Sequence, residues 1–179
     1  MKNPFLLASI EEAEKGINAG EGGPFGAVVV RRGTVLARAH NEVLKTKDPT
    51  AHAEVLAIRK AARRLRSFDL SGCAIYSTCE PCPMCLGAIA WARIESVVYG
   101  CTAGDAARIG FSDGDLHSML RGRKHGPGAS RRVAKRTAGL AGGPVAAIER
   151  HEAAVRILGR KECLALFNRW SQMPGRRLY

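Results

Sequence analysis

The chain has 179 residues, enough for about one domain with its own core. Its 46% hydrophobic, 25% charged and 6% aromatic residues are ordinary globular usage and exclude collagen, coiled coil and global disorder. Lys and Arg number 28 against 16 Asp and Glu, a formal net charge of +12 with a sequence pI near 10.0, which permits a polyanionic partner without requiring one.

No apolar run approaches the ~18–20 residues that span a bilayer. The N-terminus offers only Phe5-Leu6-Leu7-Ala8 before the acidic Glu11, Glu12 and Glu14, too short a stretch for a secretory signal. A cytoplasmic protein is therefore expected, with no membrane partner. In a reducing compartment the six cysteines, at 73, 79, 82, 85, 101 and 163, are not expected to form disulfides.

Residues 4–19 place Phe5, Ile10, Ala13 and Ile17 at helical spacing, and the glycines from Gly20 end the run. Phe25 to Val30 reads as a buried strand, Arg31-Arg32-Gly33 as a hairpin turn and Thr34 to Ala39 as the second strand. Residues 42–50 read as a polar loop ending in Asp48-Pro49-Thr50. A helix follows over 51–65, with Val55, Ile58, Ala62 and Leu65 on one face. Cys73 to Thr78 is a third strand, 82–92 a helix and Glu95 to Tyr99 a fourth strand. Strand–helix–strand alternation predicts an α/β fold, a sheet with parallel neighbours and helices packed on it.

Beyond Cys101 the pattern weakens. Residues 121–144 carry seven cations among Gly, Ser and Pro, and no Asp or Glu occurs between Asp115 and Glu149. This basic insertion, about 121–147, reads as a solvated surface loop in preference to a nucleic-acid arm. A fifth strand is expected within 152–158. Cys163, Leu166, Phe167 and Trp170 then line one face of a final helix, within a C-terminal helix and tail at about 160–179. The whole chain, 1–179, reads as a single domain.

The residues that carry chemistry are His52-Ala53-Glu54 and Pro81-Cys82-Pro83-Met84-Cys85. Two cysteines three apart at a helix start put two sulfurs on one turn, within reach of one ion. Catalytic zinc takes three protein ligands and keeps a fourth position open; His52, Cys82 and Cys85 supply that number. Glu54 is placed to stand beside the metal without ligating it, and a carboxylate there can move a water proton to a substrate. A structural zinc site wants a fourth protein ligand, and Cys79, the nearest extra thiol, falls before Glu80-Pro81. A thioredoxin-like redox pair would not require the His-x-Glu. Helix N-termini at the ligands would help to compensate two anionic sulfurs. The combination His-x-Glu and Pro-Cys-x-x-Cys is the signature of zinc deaminases.

From about Pro24 to Phe111, and again at the C-terminus, the chain resembles the cytidine-deaminase-like superfamily of zinc-dependent base deaminases, and within it the bacterial guanine deaminases. The likeness lies in Pro24 to Val30, Asp48 to Glu54, Cys79 to Ile89 and Trp91-Ala92-Arg93. These segments alone would also fit cytosine deaminases and tRNA adenosine deaminases. Asp105-Ala106-Ala107 with Gly110-Phe111-Ser112-Asp113, Trp91 and the terminal Tyr179 tilt it toward guanine. Ser112 departs from the family, which often has an acid there.

The resemblance implies a three-layer α/β/α fold with a mixed five-stranded sheet and one Zn²⁺ per chain. It implies hydrolysis of guanine at C2 to xanthine and ammonia, with Glu54 and Asp113 as catalytic, proton-carrying residues. Asn41, Phe25, Ala53, Trp91 and Tyr179 would contact a small purine base. Tyr179 would close the site, in a homodimer that exchanges the C-terminal helix. Read without the resemblance, Asn41 could cap a turn, Phe25 and Trp91 could be core, and Asp113 could be a helix cap. The alternatives are a tRNA adenosine deaminase, a deaminase of another small aminated heterocycle such as cytosine or an aminotriazine, and a catalytically silent zinc-binding module. The last has no use for Glu54.

Overall fold

The computed structural model describes residues 3–112 and 153–179; the basic insertion at 121–147 and Asp113 lie outside the described residues. Helix α1 spans Pro4–Asn18. Its N-cap Asn3 accepts from the amides of Phe5 and Leu6 at 3.0 and 3.1 Å, and Pro4 fills the first helical position, where its missing N–H is harmless. Strands β1 (Gly26–Arg31) and β2 (Thr34–His40) form the expected hairpin around Gly33, whose φ of 74° suits glycine. One short helical turn, α2 (Val43–Thr46), interrupts the stretch expected as loop. Then come α3 (Ala53–Leu65), β3 (Cys73–Cys79), α4 (Pro83–Trp91) and β4 (Ser96–Cys101). Helix α5 (Ala103–Arg108) was not anticipated; Thr102 and Asp105 start it as a reciprocal capping box. Strand β5 (Ala154–Ile157) and helix α6 (Arg160–Gln172) complete the described chain.

The sheet is mixed and five-stranded, in the order β2-β1-β3-β4-β5. β1 runs antiparallel to β2 and β3, whereas β3, β4 and β5 are mutually parallel neighbours. Alternation on β1 shows how two faces are covered. Ala27 and Val29 point into a core shared with Ala53, Ala57 and Ala61 of α3 and Ile89 of α4. Val28 and Val30 point the other way, onto Ala8 of α1. On that second side α6 buries Cys163, Leu166, Phe167 and Trp170 against Ile10, Ala13 and Cys101. A Cβ on Gly100 would come within 2.2 Å of Cys163 Sγ, so this glycine sets how closely α6 approaches β4. The result is the expected three-layer α/β/α arrangement. No helix among the described residues is long and apolar enough to cross a membrane.

Candidate active site

Two helices begin at the same place. His52 is the N-cap of α3 and Cys82 the N-cap of α4, both with extended backbone. N-caps usually turn a side-chain oxygen onto their own helix. Here neither side chain caps; they turn toward each other. Cys85, three residues into α4, faces the same point.

The three ligating atoms form a near-equilateral triangle. His52 Nδ1 lies 3.6 Å from Cys82 Sγ and 3.6 Å from Cys85 Sγ, and the sulfurs are 3.6 Å apart. Tetrahedral zinc with Zn–S of ~2.3 Å and Zn–N of ~2.05 Å requires edges of about 3.8 Å between sulfurs and about 3.6 Å between sulfur and nitrogen. The donor set and its spacing therefore fit one zinc ion, which His52, Cys82 and Cys85 would hold. The positive ends of α3 and α4 point at the same atoms, which favours thiolates there. Hydrogen bonding to Cys85 lowers the Cys82 thiol to about 4 against the effect of burial, with His52 assisting. Cys85 is pushed upward by Cys82, by burial and by Glu54. The other four cysteines are free and buried.

Glu54 is buried at the floor of the site. Its Oε2 lies 3.5 Å from Cys85 Sγ, beside the triangle rather than as its fourth corner. Its Oε1 accepts a hydrogen bond from Ser77 Oγ at 2.9 Å. Burial raises its pKa, with His52 opposing. Ala53, fully buried between His52 and Glu54, is the first residue of α3.

The walls come from the β1 entrance and the C-terminus. Asn41 is 1% exposed, and its Oδ1 accepts from the Val43 amide at 3.2 Å, which is the turn-capping role. Gly22 lets the chain pass against it, since a Cβ there would lie 2.2 Å from Asn41 Oδ1. Thr78 Oγ1 accepts from Gly26 N at 3.1 Å and donates to Pro24 O at 3.2 Å, which fixes the backbone around Phe25. Phe25 packs edge-on against Phe111 and Phe167, with centroids 4.9 and 5.6 Å away. Phe111 also meets Trp170 and Tyr179, each at 5.2 Å.

Tyr179 thus returns to the site. Gly23 N donates to its hydroxyl at 3.3 Å, and burial, with the charge of Glu54 adding, pushes the phenol pKa upward. His52, Glu54, Cys82 and Cys85 are thus brought together, with Ala53 between the first two, while Phe25, Phe111 and Tyr179 form a connected aromatic group next to Asn41, whose backbone N–H donates to Phe25 O at 2.9 Å. Trp91 is brought into neither group by this chain's fold: it ends α4, about 9 Å along the axis from Cys85, and is 74% exposed. Asp113 lies outside the described residues. Sequence reasoning missed Ser77, whose only signal was an inward position on a strand leading to the cysteine pair, and Trp170 as a wall of the aromatic cluster.

A family model for the cytidine and deoxycytidylate deaminase zinc-binding region matches residues 2–101. Guanine deaminase of Bacillus subtilis is 51% identical over 116 residues, 65% of this chain and 74% of that protein. A tRNA-specific adenosine deaminase of Aquifex aeolicus is 47% identical over 98 residues, 55% of this chain and 64% of that protein. The crystal structure of guanine deaminase from Bacillus subtilis matches with a TM-score of 0.64 and 37% identity, covering 98% of this chain and 96% of the other. With the His52, Cys82 and Cys85 triangle and the buried Glu54 in place, the chain belongs to the cytidine and deoxycytidylate deaminase zinc-binding family, as a zinc-dependent hydrolytic deaminase.

Proposed function

We propose that the substrate is a free purine base, guanine, converted with water to xanthine and ammonia. The observation that carries this reading is the docking of Tyr179 on Gly23 and Phe111, which roofs the site with the chain's own C-terminus. A roof of that kind suits a small planar base held between aromatic and fixed polar groups. The likeness to the Bacillus subtilis guanine deaminase over nearly the whole of both chains supports the same reading.

When bound, zinc supplies a Lewis acid that lowers the pKa of water from 15.7 to about 7. The remaining work falls to the chain. Glu54 accepts the proton of the attacking water and delivers it to a ring nitrogen as the C2–O bond forms. It then takes the proton of the new C2 hydroxyl and passes it to the amino group, so that C2=O forms, the C2–N bond breaks and ammonia leaves. Asn41 presents its amide donors to the ring, Phe25 packs beside it, Ala53 lies beneath it, and Asp113 serves as a second proton carrier. Tyr179 closes the site.

The working form proposed is a homodimer. Helix α4 is apolar on all sides, yet Leu86 and Trp91 stand 38% and 74% exposed. A second copy covering this face would bury Trp91 and bring it against a neighbouring site. Exchange of α6 and its tail between copies would preserve the contacts described above.

A second reading, tRNA adenosine deamination, is favoured by the 47% identity to the Aquifex aeolicus enzyme and by the net charge of +12. Ammonia release decides between them: purified protein is given guanine, adenosine and transcribed tRNA separately. Turnover of guanine without RNA supports the first reading, and release from tRNA alone overturns it.

A further inference from the structure

Ser77 sits on the central strand β3, paired with Ala27 on β1 and with Tyr99 on β4, and is fully buried. Sheet partners on both sides fix its backbone. Its hydroxyl oxygen receives the Cys79 amide at 3.4 Å, a long contact that still occupies one lone pair. Its hydrogen is then directed to the one carboxylate within reach, Glu54 Oε1 at 2.9 Å. Glu54 uses its other oxygen, Oε2, toward the ligand triangle, 3.5 Å from Cys85 Sγ.

A glutamate has three rotatable bonds, and the last of them, which turns the carboxylate plane, is soft and roughly two-fold. Without a second anchor the two oxygens of Glu54 are interchangeable. The Ser77 bond, together with the carboxylate's contact to its own backbone amide, limits that freedom: Ser77 holds Oε1 and leaves Oε2 toward the ligand triangle. We infer that Ser77 is a positioning residue for the deamination, acting through Glu54 by fixing which carboxylate oxygen carries the proton. The inference rests on Glu54 being the proton carrier. Misplacing a reacting group by about 1 Å can slow turnover by about 10²-fold, so one well-directed hydroxyl has ample leverage. A merely structural Ser77 would satisfy a buried carboxylate, and its loss would lower stability with no selective effect on kcat.

The test is a shape-matched pair, Ser77→Thr and Ser77→Val. Both are tolerated by a strand and have nearly the same volume; only threonine keeps the donor. Ser77→Ala, which adds no bulk, is the third variant and decides the matter if the branched pair does not fold. Turnover per bound zinc, KM and zinc content are measured on guanine or on whichever base the wild type deaminates. The expected result is kcat within about threefold of wild type for Thr and at least about tenfold lower for Val and Ala, with KM within about twofold and about one zinc per chain. Wild-type kcat in Val or Ala overturns the inference, and so does an equal loss in Thr and Val, or a loss that disappears when turnover is expressed per zinc. In a Glu54→Gln background, Ser77→Ala should cause no further loss, since it acts through that carboxylate; an undiminished loss there overturns it as well. Turnover surviving in Glu54→Gln alone would instead remove the role given to Glu54. An inactive Glu54→Gln beside a fully active Ser77→Val removes only the role of Ser77.

Discussion

The hydroxyl of Tyr179 accepts the backbone N–H of Gly23, 156 positions earlier in the chain, at 3.3 Å. A terminal residue is normally frayed and tolerant of truncation. This one is tied down by that bond, by a tilted ring contact with Phe111, and by Leu178, which lies so close to Gly110 that a Cβ there would come within 2.8 Å of it. Deleting Arg176 to Tyr179 should therefore lower kcat/KM on a purine base at least tenfold, about 1.4 kcal/mol of transition-state stabilisation, while zinc content stays unchanged. Tyr179→Phe removes only the hydrogen bond, worth about 0.5–1.5 kcal/mol, and should fall between wild type and the truncation. Wild-type kinetics in the truncated protein would retire the roof.

Glu54→Gln preserves shape and fold but cannot take a proton. Proton transfer by a positioned group contributes typically 10²–10⁴-fold, and here one carboxylate serves more than one transfer. Turnover should drop to or beyond the top of that range with zinc retained, because Glu54 stands beside the triangle rather than in it. A variant keeping a third of wild-type kcat would mean that another group moves the proton.

Zinc should be present at about one equivalent per chain, on His52, Cys82 and Cys85. The ion ties the start of α3 to the start of α4, so stripping it should reduce stability as well as activity. Ligand present at 100 times its Kd stabilises the folded state by about 2.7 kcal/mol. For a domain of this size that corresponds to roughly 5–10 °C in Tm. Thermal melts with and without a chelator check this, and Cys82→Ser should melt like the chelated wild type. Identical melts would mean that the ion contributes nothing to folding.

The zinc triangle was legible in the sequence because its geometry is local. A cysteine pair three apart at a helix start has one arrangement, and an extended N-cap histidine followed by Ala-Glu has little more freedom. The strands were legible for a similar reason: Ala27 to Val30 is an apolar run that only a central strand can bury on both faces. Helix α5 escaped because six residues rich in Ala and Gly carry no periodicity; its signal was the Thr102-x-x-Asp105 cap alone. Trp91 was ambiguous for a different reason. A helix apolar on every side selects no face, and the fold exposes the side that Trp91 occupies. The Ser77–Glu54 bond joins residues 23 apart through the packing of α3 on β3, which no local pattern encodes.

Asp105 is a buried charge outside the site, and it clasps α6 to α5. Its side chain is fully buried and accepts from Thr102 N and Thr102 Oγ1, each at 2.9 Å, from Arg108 at 2.6 Å, and from both Nε and Nη2 of Arg160 at 3.1 and 2.7 Å. Burial alone would raise its pKa. The Thr102 amide and the Arg160 guanidinium outweigh burial and hold it at about 2, against 3.8 for an ordinary aspartate. A carboxyl whose folded pKa lies below its unfolded value stabilises the fold fully above the unfolded value, and that stabilisation is lost as pH falls through the folded one. The clasp should therefore contribute in full above about pH 4 and fade between about pH 4 and pH 2. Arg160→Met leaves Asp105 with its other partners and should lower stability near neutrality, since a buried carboxylate loses two charge-assisted hydrogen bonds. Arg160 is itself half exposed, which keeps the loss below that of a fully buried pair. In Asp105→Asn the loss near neutrality should be at least as large, and the difference from wild type should shrink as pH drops from 4 to 2. Urea denaturation of both proteins across that window measures the difference directly. Parallel stability curves would mean that the Asp105 carboxylate is not held below its ordinary pKa and that α6 is docked by its apolar face alone.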